Sequence, residues 1–326
     1  MSRLKHLSWL VWLVVLLCLW WALRNVSFVE VWQTLHLLSF WQIIILILAN
    51  CSILLLFSGR WWLILRFFRQ PVGYVALSLY RLAGFGISYF TPGTQFGGEP
   101  VQVLLLQRRH QVGLSTATSS VFLDKLIEVI ANFTFLILGL VVVLFARQTY
   151  YWQSGWMLLP IIVALISLVF YLFFLLRGQF VLSQLLRLFV PFSQEGRMYR
   201  LYQVVQNVEA EIIGLSHQKP LLLVLLFLIS MVVWIAMAAE YYLVLLFLGL
   251  KLDWVQTVIA MTLARLALLP PLPGALGSLE VSQVLAMQLL GYSPAIGISL
   301  VLLNRGRDIF FGGVGLLIGS WSLRIR

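Results

Sequence analysis

The sequence predicts an all-α polytopic membrane protein, a helical bundle with two inverted, re-entrant hairpins of broken helix. Of the 326 residues, 62% are hydrophobic and only 10% are charged, and the mean hydropathy is +0.99. A soluble domain is closer to half apolar and a quarter charged. Two apolar segments are interrupted by proline and glycine, and a helix loses backbone hydrogen bonds at such a break. Since hydrocarbon cannot replace those bonds, broken helices at membrane depth typically line a cavity.

Six apolar stretches are predicted to cross the membrane, since a hydrocarbon core about 30 Å thick takes about 20 helical residues. They are roughly 7–23, 40–57, 115–145, 156–176, 221–248 and 295–323. The first is predicted to be a retained span, because no small-residue cleavage site follows it. No polar stretch is long enough for a separate soluble domain, so the sequence predicts a single integral membrane domain over 1–326.

A connector at 177–219 is the least apolar part of the chain. Its apolar side chains recur at helical spacing near 180–190 and 198–215. Two interpretations stay open for it: a solvated connecting helix, and an amphipathic helix that lies on the cytoplasmic face of the membrane.

The first broken unit, 75–107, carries the sequence PGTQFGGEP between two apolar limbs. Each limb is too short to cross the hydrocarbon core, so the unit is predicted to enter and leave the membrane on the same side. Proline suits the first position of a helix, which predicts that Pro100 begins the second limb. Glu99 would then lie at the cap of a half-helix that starts inside the membrane.

The second broken unit, 254–290, carries the sequence PPLPGALGSLE after an apolar limb that bears Arg265. Ser278 is predicted to cap the half-helix that holds Glu280. Helix N-termini expose free N–H groups and attract anions. Interrupted helices in corresponding positions of two halves are the best sequence indication of a transporter's binding site.

The basic residues indicate orientation. The formal net charge of +11 comes mostly from residues near predicted span ends, which favours topology signalling and contact with anionic lipid over nucleic-acid binding. A loop after the second span is predicted to hold Arg60, Arg66 and Arg69 on the basic side, which is cytoplasmic by the positive-inside rule. Only Arg24, Arg147 and Lys251 are predicted on the other side. Both termini are then cytoplasmic, and the two hairpins enter from opposite faces.

The charged residues predicted at membrane depth form the candidate substrate site, because they are costly in hydrocarbon and usually face a partner or a watery cavity. Arginines would contact phosphate through the planar guanidinium, while carboxylates would balance charge or bind an amine. The alternative is that these charges only pair with one another. Glu240 is predicted at the same depth in the fifth span. Together with glycines at the two breaks, the candidate substrate-binding residues are Arg81, Gly97, Gly98, Glu99, Asp124, Lys125, Glu128, Arg265, Gly277, Glu280, Arg305, Arg307 and Asp308.

Enzyme motifs are missing from the sequence. It contains no G-x-S-x-G, H-E-x-x-H, Walker A or C-x-x-C pattern, and its four histidines are not spaced as metal ligands. We therefore expect a protein that is not an enzyme and that uses no cofactor and no metal. Cys18 and Cys51 lie in apolar runs and are predicted to be packed thiols. Gly315 and Gly319 form a GxxxG pattern, which close helix packing explains.

Four features of the sequence resemble the transmembrane region of lysylphosphatidylglycerol synthases and its flippase-like membrane relatives. They are Pro92-x-x-x-x-Gly97-Gly98-Glu99, then Asp124-Lys125, then Pro273-Gly274-x-x-Gly277-x-x-Glu280, and Arg305. The resemblance covers nearly the whole chain. The family more often has Asp-Arg in place of Asp124-Lys125 and often a second glycine in place of Ala275.

The resemblance implies movement of a lipid between membrane leaflets. In the synthases a soluble aminoacyl-transfer domain follows the membrane region, whereas this chain stops at Arg326, so we do not expect it to make lysyl-lipid itself. The expected function is a lipid flippase or transporter of a prokaryotic plasma (inner) membrane, for a lipid with an anionic or zwitterionic phosphate head group. Two further partners stay open: a second copy of the chain, or a separate lipid-modifying enzyme.

Two other functions stay open. The chain could be a non-transporting membrane partner that presents lipid to an enzyme. It could also be an intramembrane lipid-modifying enzyme that uses Glu99 or Asp124 as the base.

Overall fold

The computed structural model describes residues 18–24, 26–90, 97–145, 158–187, 197–269 and 272–324, and these are helical with short connections and no strand. The all-α prediction is confirmed. The helices are α1 (Phe28–His36), α2 (Phe40–Phe67), α3 (Tyr74–Phe90), α4 (Glu99–His110), α5 (Leu114–Phe145), α6 (Leu158–Leu176), α7 (Val181–Arg187), α8 (Arg197–Gln218), α9 (Pro220–Phe247), α10 (Trp254–Leu266), α11 (Ser278–Leu289) and α12 (Pro294–Arg324). Of the first predicted span, 18–23 are helical, and the rest lies outside the described residues, as do Pro92 and Arg147.

Three of the described helices are long and apolar enough to cross a membrane, which fits the predicted membrane protein. They are Phe40–Phe67, Leu114–Val143 and Pro220–Phe247, and Trp254–Leu266 is a shorter apolar helix. Cys18 and Cys51 are free thiols, as predicted. The division of the chain into a single domain stays a prediction.

Helix α2 corrects one sequence prediction. It has 28 residues, about 42 Å at a rise of 1.5 Å each, and runs well past the predicted end of the second span. The prediction that Arg60 and Arg66 lie in a loop is therefore wrong. Arg60 and Trp61 are both 1% exposed. Arg60 interrupts the apolar pattern inside the helix because Asp124, Glu128 and Ser230 surround its guanidinium.

Two helical hairpins occupy the predicted broken units, α3 with α4 and α10 with α11. The base of the first lies near the end of α12, where Arg109 Nε donates to the Ser322 carbonyl at 2.8 Å. The base of the second leads directly into the start of α12. That helix has 31 residues, about 46 Å, so the two bases lie near its opposite ends. Re-entrance of either hairpin into a membrane stays a prediction.

Glycines hold the first hairpin against α12. A Cβ added at Gly315 would be 2.1 Å from the Leu82 carbonyl oxygen, and one at Gly86 would be 2.5 Å from the Gly312 carbonyl oxygen. Real Cβ atoms do not approach backbone so closely. The predicted role of Gly315 in close helix packing is confirmed.

The connector packs on the bundle. Val208 and Ile212 of α8 are buried in a cluster that includes Leu175 of α6 and Leu226 of α9. Glu209 is also buried, and its carboxylate accepts hydrogen bonds from the Leu182 and Ser183 N–H groups at 2.8 and 3.1 Å. These are free donors at the start of α7, so Glu209 caps that helix from α8.

Candidate functional site

A cavity of about 410 Å³ lies where the two hairpins meet the bundle, within the usual range for small-molecule sites of about 300–1,000 Å³. It is lined from both halves of the chain and mixes apolar side chains such as Phe57, Trp234 and Met237 with charged ones. The structure brings most predicted site residues to its wall: Arg81, Gly98, Glu99, Asp124, Lys125, Glu128, Arg265, Arg305, Arg307 and Asp308. Gly97, Gly277 and Glu280 do not line it.

Two carboxylates of α5 form the centre of the first charged cluster. Asp124 and Glu128 are four residues apart and share one helical face. Arg81 of α3 bonds both, at 2.8 Å to Asp124 Oδ2 and 2.9 Å to Glu128 Oε2. Since Arg81 lies on the first hairpin, these ion pairs attach that hairpin to α5.

Arg60 completes this cluster and was missing from the predicted site. Its Nε lies 2.7 Å from Asp124 Oδ1 and its Nη2 lies 3.2 Å from Glu128 Oε2. Its Nη1 donates to the Ser230 hydroxyl at 2.9 Å. The sequence signal that could have found it is the carboxylate pair itself, because two carboxylates four residues apart in an apolar helix, one of them buried, need more than one cation nearby.

The tip of the first hairpin is held by its own glutamate. Gly98 is the helix cap, Glu99 is the first residue of α4 and Pro100 is the second. The helix therefore begins one residue earlier than predicted, and the prediction that Glu99 is the cap is wrong. Glu99 Oε2 accepts from the Gly97 N–H at 2.7 Å, and Glu99 Oε1 lies 3.6 Å from Lys125 Nζ. Lys125 also bonds Glu128 Oε1 at 2.9 Å and so links the tip to the first cluster.

The tip of the second hairpin repeats this arrangement. Glu280 Oε2 accepts from the Gly277 N–H at 2.8 Å, and Glu280 Oε1 pairs with Arg305 Nε at 2.8 Å. Arg305 Nη1 donates to the Gly274 carbonyl at 3.1 Å. The prediction that Ser278 caps α11 is wrong: Gly277 is the cap, and the Ser278 hydroxyl donates to the Ala267 carbonyl at 2.7 Å. Ser278 is one residue too late in the chain to reach the free N–H groups.

The two tips therefore share one electrostatic property. A helix N-terminus carries a partial positive charge of about half a unit. At each tip the first-turn glutamate already bonds a glycine N–H that precedes its helix, Gly97 for Glu99 and Gly277 for Glu280. An incoming anion would compete with this carboxylate, so the half-helix ends alone do not make an open phosphate site.

A second charged cluster joins α9 to α12. Arg307 is shared by two carboxylates, with its Nη1 at 3.2 Å from Glu240 Oε1 and its Nε at 2.9 Å from Asp308 Oδ1. Asn50 Nδ2 also donates to Glu240 Oε1, at 3.1 Å. One cation between two carboxylates leaves this cluster with one negative charge in excess.

Arg265, in the last turn of α10, differs from the other arginines of the cavity. Its guanidinium carbon lies 4.8 Å above the Trp234 ring, and its Nη2 lies 3.9 Å from Met237 Sδ. The Trp234 ring is in turn stacked on Phe135, with centroids 4.4 Å apart. Among the described residues, no carboxylate oxygen lies within 4.0 Å of Arg265. Its position is therefore fixed by an aromatic surface rather than by an ion pair.

Comparison with known proteins matches the chain to membrane proteins. Residues 8–315 match the family model described as the lysylphosphatidylglycerol synthase TM region. A UPF0104 membrane protein of Pyrococcus horikoshii is 25% identical over 309 residues, covering 90% of this chain and 89% of the relative. One from Methanothermobacter thermautotrophicus is 23% identical over 273 residues, covering 81% and 80%. No solved structure matches the chain.

Proposed function

We propose a function from the family of this chain, which belongs to the lysylphosphatidylglycerol synthase transmembrane region family. The proposed function is to move a phosphate-containing lipid between the leaflets of a prokaryotic plasma membrane. The observation that carries the proposal is the shared cavity. Charged side chains from both hairpins line it inside a bundle of apolar helices. Such a polar space suits the head group of a lipid whose tails stay in the bilayer.

The proposal answers a definite energetic problem. A charged head group that leaves water for hydrocarbon loses its hydration, at a cost of several kcal/mol or more. The cavity replaces hydrocarbon with a polar wall, because charged side chains such as Arg81, Lys125 and Arg307 line it. Its size fits a head group alone, so the acyl chains would remain outside among the apolar helices.

The position of the hairpins supports passage through the cavity. Their bases lie near opposite ends of α12, and Gly98 and Gly274 at their tips line the same cavity. Transporters built from inverted repeats place their site where broken helices from two halves meet. We place both chain termini in the cytoplasm, following the basic residues, and we propose no chemical step for the protein itself.

The test is leaflet exchange by the purified protein in vesicles. A fluorescent phospholipid in both leaflets is quenched by a reagent that cannot cross the membrane. With the protein present we expect quenching to pass the outer-leaflet fraction, whereas protein-free vesicles should stop there. Glu99→Gln should slow exchange because Glu99 lines the cavity, while Arg66→Lys, an exposed arginine stacked on Trp62, should not.

The alternatives are separate outcomes of the same assay. Lipid that stays bound without exchange would overturn transport and favour a partner that presents lipid to an enzyme. A lipid recovered in chemically changed form would favour an intramembrane enzyme.

A further inference from the structure

We infer that the cavity takes a zwitterionic head group, with its phosphate on Arg265 and its cationic amine on the carboxylates of Asp308 and Glu240. This inference rests on the proposed function and names the substrate class of the same site. It depends on which charged groups of the cavity already have their hydrogen-bonding capacity used by the protein.

Most charged groups in and behind the wall are used. Each oxygen of Asp124 and of Glu128 lies within 3.2 Å of a cationic nitrogen. Both oxygens of Glu280 are bonded as well, to Arg305 and to the Gly277 N–H. On the cationic side, Arg60, Arg81, Lys125 and Arg305 each pair with at least one carboxylate. A head group would have to break these pairs to use them.

Arg265 is the arginine of the described cavity wall that has no ion pair. In the described part of the chain its guanidinium meets only an aromatic face and a thioether sulfur. A cation over a tryptophan ring gains about 0.5–2 kcal/mol, less than a desolvated arginine gains from an anion. Among the described residues, only Nη2 has a hydrogen-bond contact, to the Met237 sulfur, so Nε and Nη1 are open to the oxygens of a phosphate.

Asp308 and Glu240 each use only one carboxylate oxygen for hydrogen bonds to described residues. Asp308 uses Oδ1 for Arg307, and Glu240 uses Oε1 for Arg307 and Asn50. Within the described residues, neither Asp308 Oδ2 nor Glu240 Oε2 has a hydrogen-bond partner. Both residues line the cavity together with Arg265. An ammonium group, with three donors and no acceptor, matches these two free oxygens.

The charge balance selects the overall charge of the ligand. Arg265 carries one positive charge, and Arg307 with its two carboxylates carries one negative charge in excess. A head group with one phosphate and one amine satisfies both. An anionic phosphoglycerol head group would leave the excess carboxylate without a cation. A lysyl head group carries a second amine, and the other carboxylates of the described wall, Glu99, Asp124 and Glu128, are already in ion pairs with Lys125 or Arg81.

The experiment measures which lipid the protein retains. The full chain is reconstituted in vesicles with equal amounts of phosphatidylethanolamine, phosphatidylglycerol, lysylphosphatidylglycerol and diacylglycerol of the same acyl chains. It is then re-extracted, and the retained lipids are counted by mass spectrometry. We expect phosphatidylethanolamine to exceed each of the others by about tenfold or more, the factor that one charge-assisted hydrogen bond gives.

Two variants separate the two ends of the head group. Arg265→Gln should lower the preference for phosphatidylethanolamine over diacylglycerol by about tenfold, and Asp308→Asn should lower its preference over phosphatidylglycerol by about tenfold. Both readouts are ratios within one sample, so they do not depend on how much protein folds. Arg66→Gln is the matched control, an arginine stacked on a tryptophan outside the cavity, and should change neither ratio.

The outcomes test three things separately: the assigned head group, transport between leaflets, and a membrane lipid as the ligand. Equal retention of phosphatidylglycerol, or unchanged ratios in both variants, would overturn the assigned head group even if the wild type exchanges lipid between leaflets. The expected ratios without leaflet exchange would keep the head group and overturn transport. Competition by soluble glycerophosphoethanolamine at the same concentration as the lipid would keep the chemistry and overturn a membrane lipid as its source.

Discussion

Removal of the Arg60 side chain is the sharpest test of the charged core. Arg60→Met keeps an unbranched apolar side chain in the helix but removes the contacts to Asp124, Glu128 and Ser230. Loss of one partner from a buried ion pair costs about 3–5 kcal/mol, because the other charge stays buried. Arg81 still pairs with both carboxylates, so we expect the lower end, about 3 kcal/mol, in the free energy of unfolding.

The measurement is denaturant-induced unfolding of the purified protein in detergent, followed by tryptophan fluorescence. The control is Arg66→Met in the same helix, whose exposed side chain makes no ion pair among the described residues and should shift the free energy of unfolding by less than about 0.5 kcal/mol. A second variant, Arg60→Met with Asp124→Asn, should recover part of the loss, since it removes the unpaired charge as well. The coupling expected for such neighbours is about 0.5–3 kcal/mol.

The reasoning fails if Arg60→Met is no less stable than Arg66→Met. The expectation is also wrong if the double variant loses as much free energy of unfolding as the Arg60→Met and Asp124→Asn single variants lose together. Either result would mean that water or lipid, rather than Arg60, compensates the charge of Asp124.

Three further outcomes are expected. Glu280→Gln should lower stability by about 1–3 kcal/mol, measured by the same unfolding, because it weakens a charge-assisted bond to Arg305; an unchanged midpoint would contradict this. Gly315→Ala should destabilise the protein, since its Cβ would meet the Leu82 carbonyl, whereas Gly306→Ala in the same helix meets nothing within 4 Å and should not. Cysteines at Gln111 and Ser293 should react with an impermeant reagent from opposite faces of the membrane; labelling from one face would remove the inverted arrangement.

The breaks in the helices could be predicted from sequence because they depend on local chemistry. A cluster of proline and glycine disfavours a continuous helix, and the described limbs end and begin where those residues cluster. The charged wall of the cavity was also predictable in large part. Charges in an apolar sequence have few places to go other than a shared polar space.

What the sequence could not indicate depends on long-range contacts. Arg60 follows an apolar run and precedes two tryptophans, a pattern typical of a membrane interface. Its partners are 64 and 68 residues away, so nothing near it in the chain marks it as buried. Likewise Arg265 and Arg305 are both arginines beside the second break, but only the fold pairs Arg305 and leaves Arg265 on an aromatic ring.

Stability alone does not explain the charged clusters. Well-packed apolar residues of similar volume stabilise a protein at least as well as a buried ion pair, because the pair must first lose its hydration. In a bundle this apolar, the simplest stable interior would contain none of these charges. Their arrangement around one cavity, with most of them mutually neutralised and three groups left with open capacity, is what a receptor for a polar head group needs. In the proposed function, the paired charges keep the wall polar without attracting a particular ion, and Arg265, Asp308 and Glu240 are the groups that would select the head group.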